Sequence, residues 1–204
     1  MMILSKLCFL FNVKTIVLVF IFCISVSSRA DEGMWLPNLI STTNIDDMQS
    51  RGLSLSAEDI YSENKSSIKD AVVALSWGGC TGEIISKEGL LLTNHHCADD
   101  LIQFHSTTEK DYLKNGFWAM NKYEELPNEN LTASILVRIE NVTERVVVQL
   151  NDQISEEERI SKIRKIGSGF SKEISDTSHY TSRLKSFYGG AVFYLFIYET
   201  FLDV

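Results

Sequence analysis

One pair of cysteines constrains this chain more than any other feature. Cys80 sits in Trp77-Gly78-Gly79-Cys80-Thr81-Gly82, and Cys97 closes Thr93-Asn94-His95-His96-Cys97. Between them lie two β-like stretches, Glu83-Ile84-Ile85-Ser86 and Leu90-Leu91-Leu92-Thr93, joined by the turn-forming Lys87-Glu88-Gly89. That pattern predicts a β-hairpin. A hairpin this short returns Cys97 to the end of the structure where Cys80 begins, and it holds His96 at the mouth of a small β-structure.

The other two cysteines, Cys8 and Cys23, fall in a leader. Lys6 and Lys14 supply its positive charge, Thr15 to Val26 its apolar core, and Ser28-Arg29-Ala30 a small-residue cleavage site. Residues 1–30 therefore read as a secretory signal peptide, with Asp31 as the mature N-terminus. A membrane anchor is the competing reading, against which Asn12 and Lys14 interrupt the apolar run. An exported product, periplasmic or cell-surface, keeps Cys80 and Cys97 in an oxidising compartment, where two cysteines most simply form one disulfide. Closing such a loop is worth about 3 kcal/mol.

The chain has 19 basic and 27 acidic residues. Losing Lys6, Lys14 and Arg29 with the leader leaves 16 of those 19 basic residues against 27 acids, a net charge of −11. This balance argues against nucleic acid or an anionic membrane surface as partners, and cleavage leaves no stable membrane anchor. Residues 31–204 suffice for one domain with its own core. The aromatic-rich run Ala191-Val192-Phe193-Tyr194-Leu195-Phe196-Ile197-Tyr198 reads as a buried strand. Left at a sheet edge it would invite aggregation and poor solubility through apolar area at 193–201. The expectation is the N-terminal part of a longer protein.

Along the chain, residues 31–55 read as loop, with Met34, Trp35, Leu36 and Leu39 pinning it to the body. Ser56 and Asp59 cap a short helix. Residues 70–76 predict a strand, 98–104 a short helix, and Ser106-Thr107-Thr108-Glu109 a capping box that starts a helix ending near Gly116. Phe117 to Met120 are expected to pack inward. Residues 131–139 read as a strand, and 142–150 as strand or helix. Ser155-Glu156-Glu157-Glu158 opens a long polar helix reaching Arg183 and Lys185, bent at Gly167 and Gly169.

His96 is the candidate catalytic residue. Histidine, with an ordinary pKa of about 6.5, can take a proton from a nucleophile at neutral pH. A disulfide at the next residue would fix the backbone beneath it, the way a chymotrypsin-like serine peptidase presents its general base. In an extended segment His95 points the other way. Two alternatives stay open: polar histidines beside a structural disulfide, and a metal site from Cys80, His95, Cys97 and His105, whose spacing fits no familiar zinc pattern. The one glycine-flanked serine, Ser168, lies in a helical stretch, no nucleophile elbow occurs, and Asp99 and Asp100 read as solvated loop acids. The nucleophile and the triad acid are expected outside this chain.

The residues resemble a family. Asp31-Glu32-Gly33-Met34-Trp35, Ile68-Lys69-Asp70-Ala71-Val72-Val73, Gly78-Gly79-Cys80-Thr81-Gly82, Leu92-Thr93-Asn94-His95-His96-Cys97, Ile102-Gln103-Phe104-His105-Ser106, Asp111 through Ala119, Glu125-Leu126-Pro127 and Ser186-Phe187-Tyr188-Gly189-Gly190 occur in order. Together they are similar to the N-terminal part of the bacterial exported dipeptidyl aminopeptidases of the dipeptidyl-peptidase 7 and 11 type. Trp77 stands where that family often has glycine. The resemblance implies a mainly β fold with helices, a chymotrypsin-like double β-barrel of which residues 31–204 are an incomplete part. It makes His96 the catalytic histidine, Cys80–Cys97 the bridge beside it, and oligopeptides with a free N-terminus the substrates. It implies no cofactor or metal and a homodimer of the longer protein. The catalytic aspartate would lie shortly beyond residue 204 and the serine far beyond, leaving this chain inactive alone. A trypsin-like secreted endopeptidase and a non-catalytic exported binding module are the alternatives.

Overall fold

The apolar run near residue 195 builds the strand around which the sheet is organised. In the computed structural model, which describes residues 35–150 and 154–202, six strands form one antiparallel sheet. They are β1 (Val72–Leu75), β2 (Cys80–Ile84), β3 (Leu91–Thr93), β4 (Thr132–Asn141), β5 (Thr181–Phe187) and β6 (Val192–Leu202). Their order is β3-β2-β1-β4-β6-β5. The leader and residues 31–34 of the first family motif lie outside the described residues. The chain divides into Met1–Leu36 and Pro37–Val204, and the sheet belongs wholly to the second unit.

β6 is the buried strand that the sequence predicts, and it is not at a sheet edge. It pairs with β4 on one side and β5 on the other. Alternate residues Phe193, Leu195 and Ile197 point to one face, where they are buried with Val142, Val146 and Phe170. Val146 belongs to a short helix, α6 (Thr143–Val147), and Phe170 to the long α7 (Glu156–Thr177). Tyr194 and Phe196 are buried as well, so the apolar exposure expected over 193–201 is confined, on this strand, to Phe201 and Leu202 at its end. A second cluster, Val73, Leu75 and Ala133 with Cys80, Ile84, Leu91 and Ile135, holds β1 and the hairpin together.

The Ser155 capping box forms as expected, its side chain accepting from Glu158 N and the Glu158 carboxylate from Ser155 N. The helix then runs unbroken through Gly167 and Gly169 and stops at Thr177. Each glycine costs about 1 kcal/mol relative to alanine, which the cap and the burial of Phe170 offset. Gly167 faces β5, where an added Cβ would meet the Leu184 Cβ at 3.4 Å, an ordinary contact. Arg183 and Lys185, expected on the helix, belong to the edge strand β5, where charge guards against edge-to-edge pairing.

Three further segments differ from expectation. Residues 37–50 are helical rather than loop, with a 3-10 turn (Pro37–Leu39), α1 (Ile40–Thr43) and α2 (Ile45–Ser50), because Ile40 and Ile45 are buried. The box at Ser106 starts no helix. Thr107 instead closes a turn with Lys110, and Asp111 caps the single-turn α5 (Tyr112–Asn115), which ends at Gly116. Trp118 and Met120 are exposed, not packed inward, because this stretch has local partners such as Met120 N with the Glu124 carboxylate and no strand neighbour. No helix among the described residues is long and apolar enough to cross a membrane.

Ser56 and Asp59 form the expected capping box on α3 (Ala57–Ile60). The next residue ties this helix to the sheet: the Tyr61 hydroxyl accepts from Ile139 N at 2.9 Å and donates to Glu63. Burial pushes the Tyr61 phenol up to about 12. Because this value lies above the ordinary 10.0, the stability it represents is complete below pH 10 and is lost as pH rises through 12. Tyr61→Phe should lower stability by about 1–2 kcal/mol at neutral pH, read from the urea midpoint. It should also flatten the alkaline part of the stability curve.

Candidate active site

β1 delivers the chain to the site through a tight connection. Leu75 pairs with Cys80 across it, and Ser76 and Gly78 take positive φ angles of 45° and 88° to make the turn. β2 and β3 form the predicted hairpin. Ile85 N donates to Leu90 O, the Ser86 hydroxyl accepts from the amides of Glu88 and Leu90, and Gly89 adopts φ 87°. The Thr93 hydroxyl donates to Thr81 O at 2.7 Å. Gly82 is the point of closest approach: a Cβ there would stand 2.7 Å from both Leu92 O and the Leu91 Cδ2.

Beyond Asn94 the extended chain ends. His95–Cys97 form a 3-10 turn leading into α4 (Asp99–His105). Cys80 and Cys97 are joined, with Cα atoms 5.9 Å apart. His96 is exposed, and a ring nitrogen of it lies within 4.8 Å of both sulfurs. Among the described residues it has no hydrogen-bond partner, so its imidazole is free to meet an incoming group.

His95 is set apart from His96 by a turn, not by strand alternation. Its Nδ1 is 2.6 Å from Asp99 Oδ1, at i and i+4. Asp99 is half-exposed, as a solvated acid should be, but it sits in the first turn of α4 rather than in a loop, with its carboxylate against His95. His105 is elsewhere, with Nε2 3.3 Å from Asn128 Oδ1. Of the four residues in the metal reading, only Cys80 and Cys97 come together, with His96 rather than His95 or His105. Their sulfurs are bonded to one another, so neither offers the thiolate a zinc site requires. The Ser168 hydroxyl donates to Arg164 O within α7, the back-bonding of a helical serine.

Sequence reasoning missed a polar face of the sheet. Thr181, Arg183 and Lys185 alternate along β5, a period of two that a charged stretch following a helix concealed.

Residues 30–204 match the family model Peptidase S46. The chain belongs to the peptidase S46 family. It is 43% identical over 190 residues to an Asp/Glu-specific dipeptidyl-peptidase of Flavobacterium psychrophilum, covering 91% of this chain and 26% of that relative. It is 43% identical over 176 residues to dipeptidyl-peptidase 7 of Capnocytophaga gingivalis, covering 86% of this chain and 24% of the relative. Crystal structures of Porphyromonas endodontalis DPP11 share the fold. One superposes with a TM-score of 0.76 at 41% identity, over 85% of this chain and 25% of that one. A substrate complex gives 0.72 at 39% identity, over 85% and 26% of the two chains. This S46 chain thus spans about a quarter of the length of its relatives.

Two outcomes are expected of the hairpin. Gly82→Ala should destabilise by about 1–3 kcal/mol, since a backbone carbonyl must move to admit the methyl, measured by chemical denaturation. Replacing both cysteines by serine should cost about 3 kcal/mol, and adding reductant to the parent chain should move its midpoint to that of the double variant.

Proposed function

We propose that His96 is the general base of an exported serine-type dipeptidyl aminopeptidase, of which this chain is the N-terminal part. The observation that carries the reading is the match to dipeptidyl-peptidases over the segment that holds His96, with that histidine exposed beside a disulfide at the end of a hairpin. The antiparallel sheet would be the first part of a chymotrypsin-like double barrel, completed by polypeptide that the longer relatives carry. The disulfide and the leader favour a periplasmic or cell-surface location.

In the complete enzyme, a serine Oγ attacks the carbonyl of the second residue of an oligopeptide. His96 takes the hydroxyl proton as the C–O bond forms and gives it to the leaving amine as the C–N bond breaks. Water, deprotonated by the same imidazole, then releases the dipeptide. Recognition of the free substrate amine would restrict cleavage to the second bond. The serine and the acid that orients His96 would come from outside this chain, which accords with Ser168 being engaged along a helix.

In the complete enzyme, His96→Ala should lower turnover of free-amine dipeptidyl substrates roughly a millionfold, with N-blocked substrates uncleaved. Equal cleavage of blocked substrates would favour a secreted endopeptidase. The 204-residue chain itself should not be labelled by a fluorophosphonate; labelling would place the nucleophile within it and overturn the assignment.

A further inference from the structure

The sulfur bridge has a second chemistry when it is open. Cys80 Sγ, Cys97 Sγ and a ring nitrogen of His96 all lie within 4.8 Å of one another. Two sulfurs and an imidazole make a zinc donor set, provided the sulfurs are thiolates. In the closed bridge they are not. Every copy of the chain is a dithiol before the bridge forms. It becomes one again when an external dithiol passes two electrons and two protons to the sulfur–sulfur bond and is itself oxidised to a disulfide.

The backbone already has the spacing. With Zn–S bonds of about 2.3 Å and tetrahedral angles, two zinc-bound sulfurs stand about 3.8 Å apart. The Cα atoms of Cys80 and Cys97 are 5.9 Å apart, so rotation of the two side chains reaches that separation without moving the backbone. Bonds that do not involve sulfur hold both ends. Cys80 pairs with Leu75 on β1, the Thr93 hydroxyl ties β3 to Thr81 O, and Cys97 N closes the histidine turn on Asn94 O at 3.0 Å. The three donors lie between residues 80 and 97, so the arrangement does not depend on polypeptide outside this chain. His96 has no hydrogen-bond partner among the described residues, whereas His95 lies against Asp99 and His105 against Asn128.

We propose that the reduced chain binds one Zn²⁺ through Cys80, Cys97 and His96, with water in the fourth position. Both thiols release their protons to solvent as the Zn–S bonds form, and the imidazole binds through its unprotonated nitrogen. The two thiolates cancel the charge of the ion. A single metal ion then ties the histidine turn to β2 where the covalent bridge would. This inference stands independently of the peptidase reading.

The test uses the 204-residue chain carrying Cys8→Ser and Cys23→Ser, so that Cys80 and Cys97 are its only thiols. The chain is reduced with a phosphine and titrated with Zn²⁺ against a chromophoric chelator. The expected result is one equivalent of zinc, a thermal midpoint that rises with zinc, and binding at least about tenfold weaker in the oxidised chain. His96→Ala should weaken binding about tenfold or more, since even an indirect partner of a metal ligand is worth that much. His95→Ala should leave it unchanged. In an unfolded chain the two histidines are equivalent, so equal losses in the two variants would mark capture by disordered thiols and overturn the proposal. An affinity unchanged by His96→Ala, equal binding by the oxidised chain, or no rise in the midpoint would overturn it too. If reduction alone unfolds the chain, zinc must restore a cooperative melt, and a chain that stays unfolded with zinc counts equally against it.

Discussion

The burial of Phe193, Leu195 and Ile197 against α6 and α7 is the constraint on which the rest of this structure depends. Fully covering one such side chain contributes about 1.5–3 kcal/mol. A slip of one residue would turn all three to the opposite face, so the register of β6 is fixed. β4 is then held along its whole length by β6. Its other edge pairs Val73 with Ile135 and Leu75 with Ala133, which places β1. β1 in turn places Cys80, and Cys80 places the histidine turn. The position of His96 is thus the last link in a chain of backbone pairings that begins with three apolar residues about a hundred positions later in the sequence.

Neighbouring histidines acquire different environments within a single 3-10 turn. His95 lies against Asp99 of the following helix, whereas His96 stands exposed beside the sulfur bridge. An extended segment would have separated the two by alternation alone. A turn does it by sending one ring forward along the chain and the other back toward β2. The Asp99 carboxylate lies against His95 and leaves the neighbouring His96 without a carboxylate partner among the described residues.

Much of this was legible from local chemistry. The hairpin from Cys80 to Thr93, the β4 strand and the capping boxes at Ser56 and Ser155 all arise from residues within a few positions of one another. What could not be read was set at long range. β6 has the composition of a buried strand, but its central place depends on β4 and β5, which no local pattern reveals. Gly167 and Gly169 weaken a helix in isolation, yet tertiary packing around Phe170 keeps it whole. The box at Ser106 has suitable capping residues but no apolar face behind it to bury, so a turn forms there. Trp118 and Met120 carry the composition of core residues without a neighbouring element to receive them.

The bridge joins positions only 17 apart in sequence, while the strand beside it must find a partner on β4. Local loops close sooner and at lower entropic cost than distant ones. The hairpin can therefore assemble, and its thiols meet an oxidant, before the central strands exist. As synthesis proceeds from the N-terminus, this histidine-bearing hairpin is complete before β4, β5 and β6 are made, and the remainder of the sheet would grow onto it.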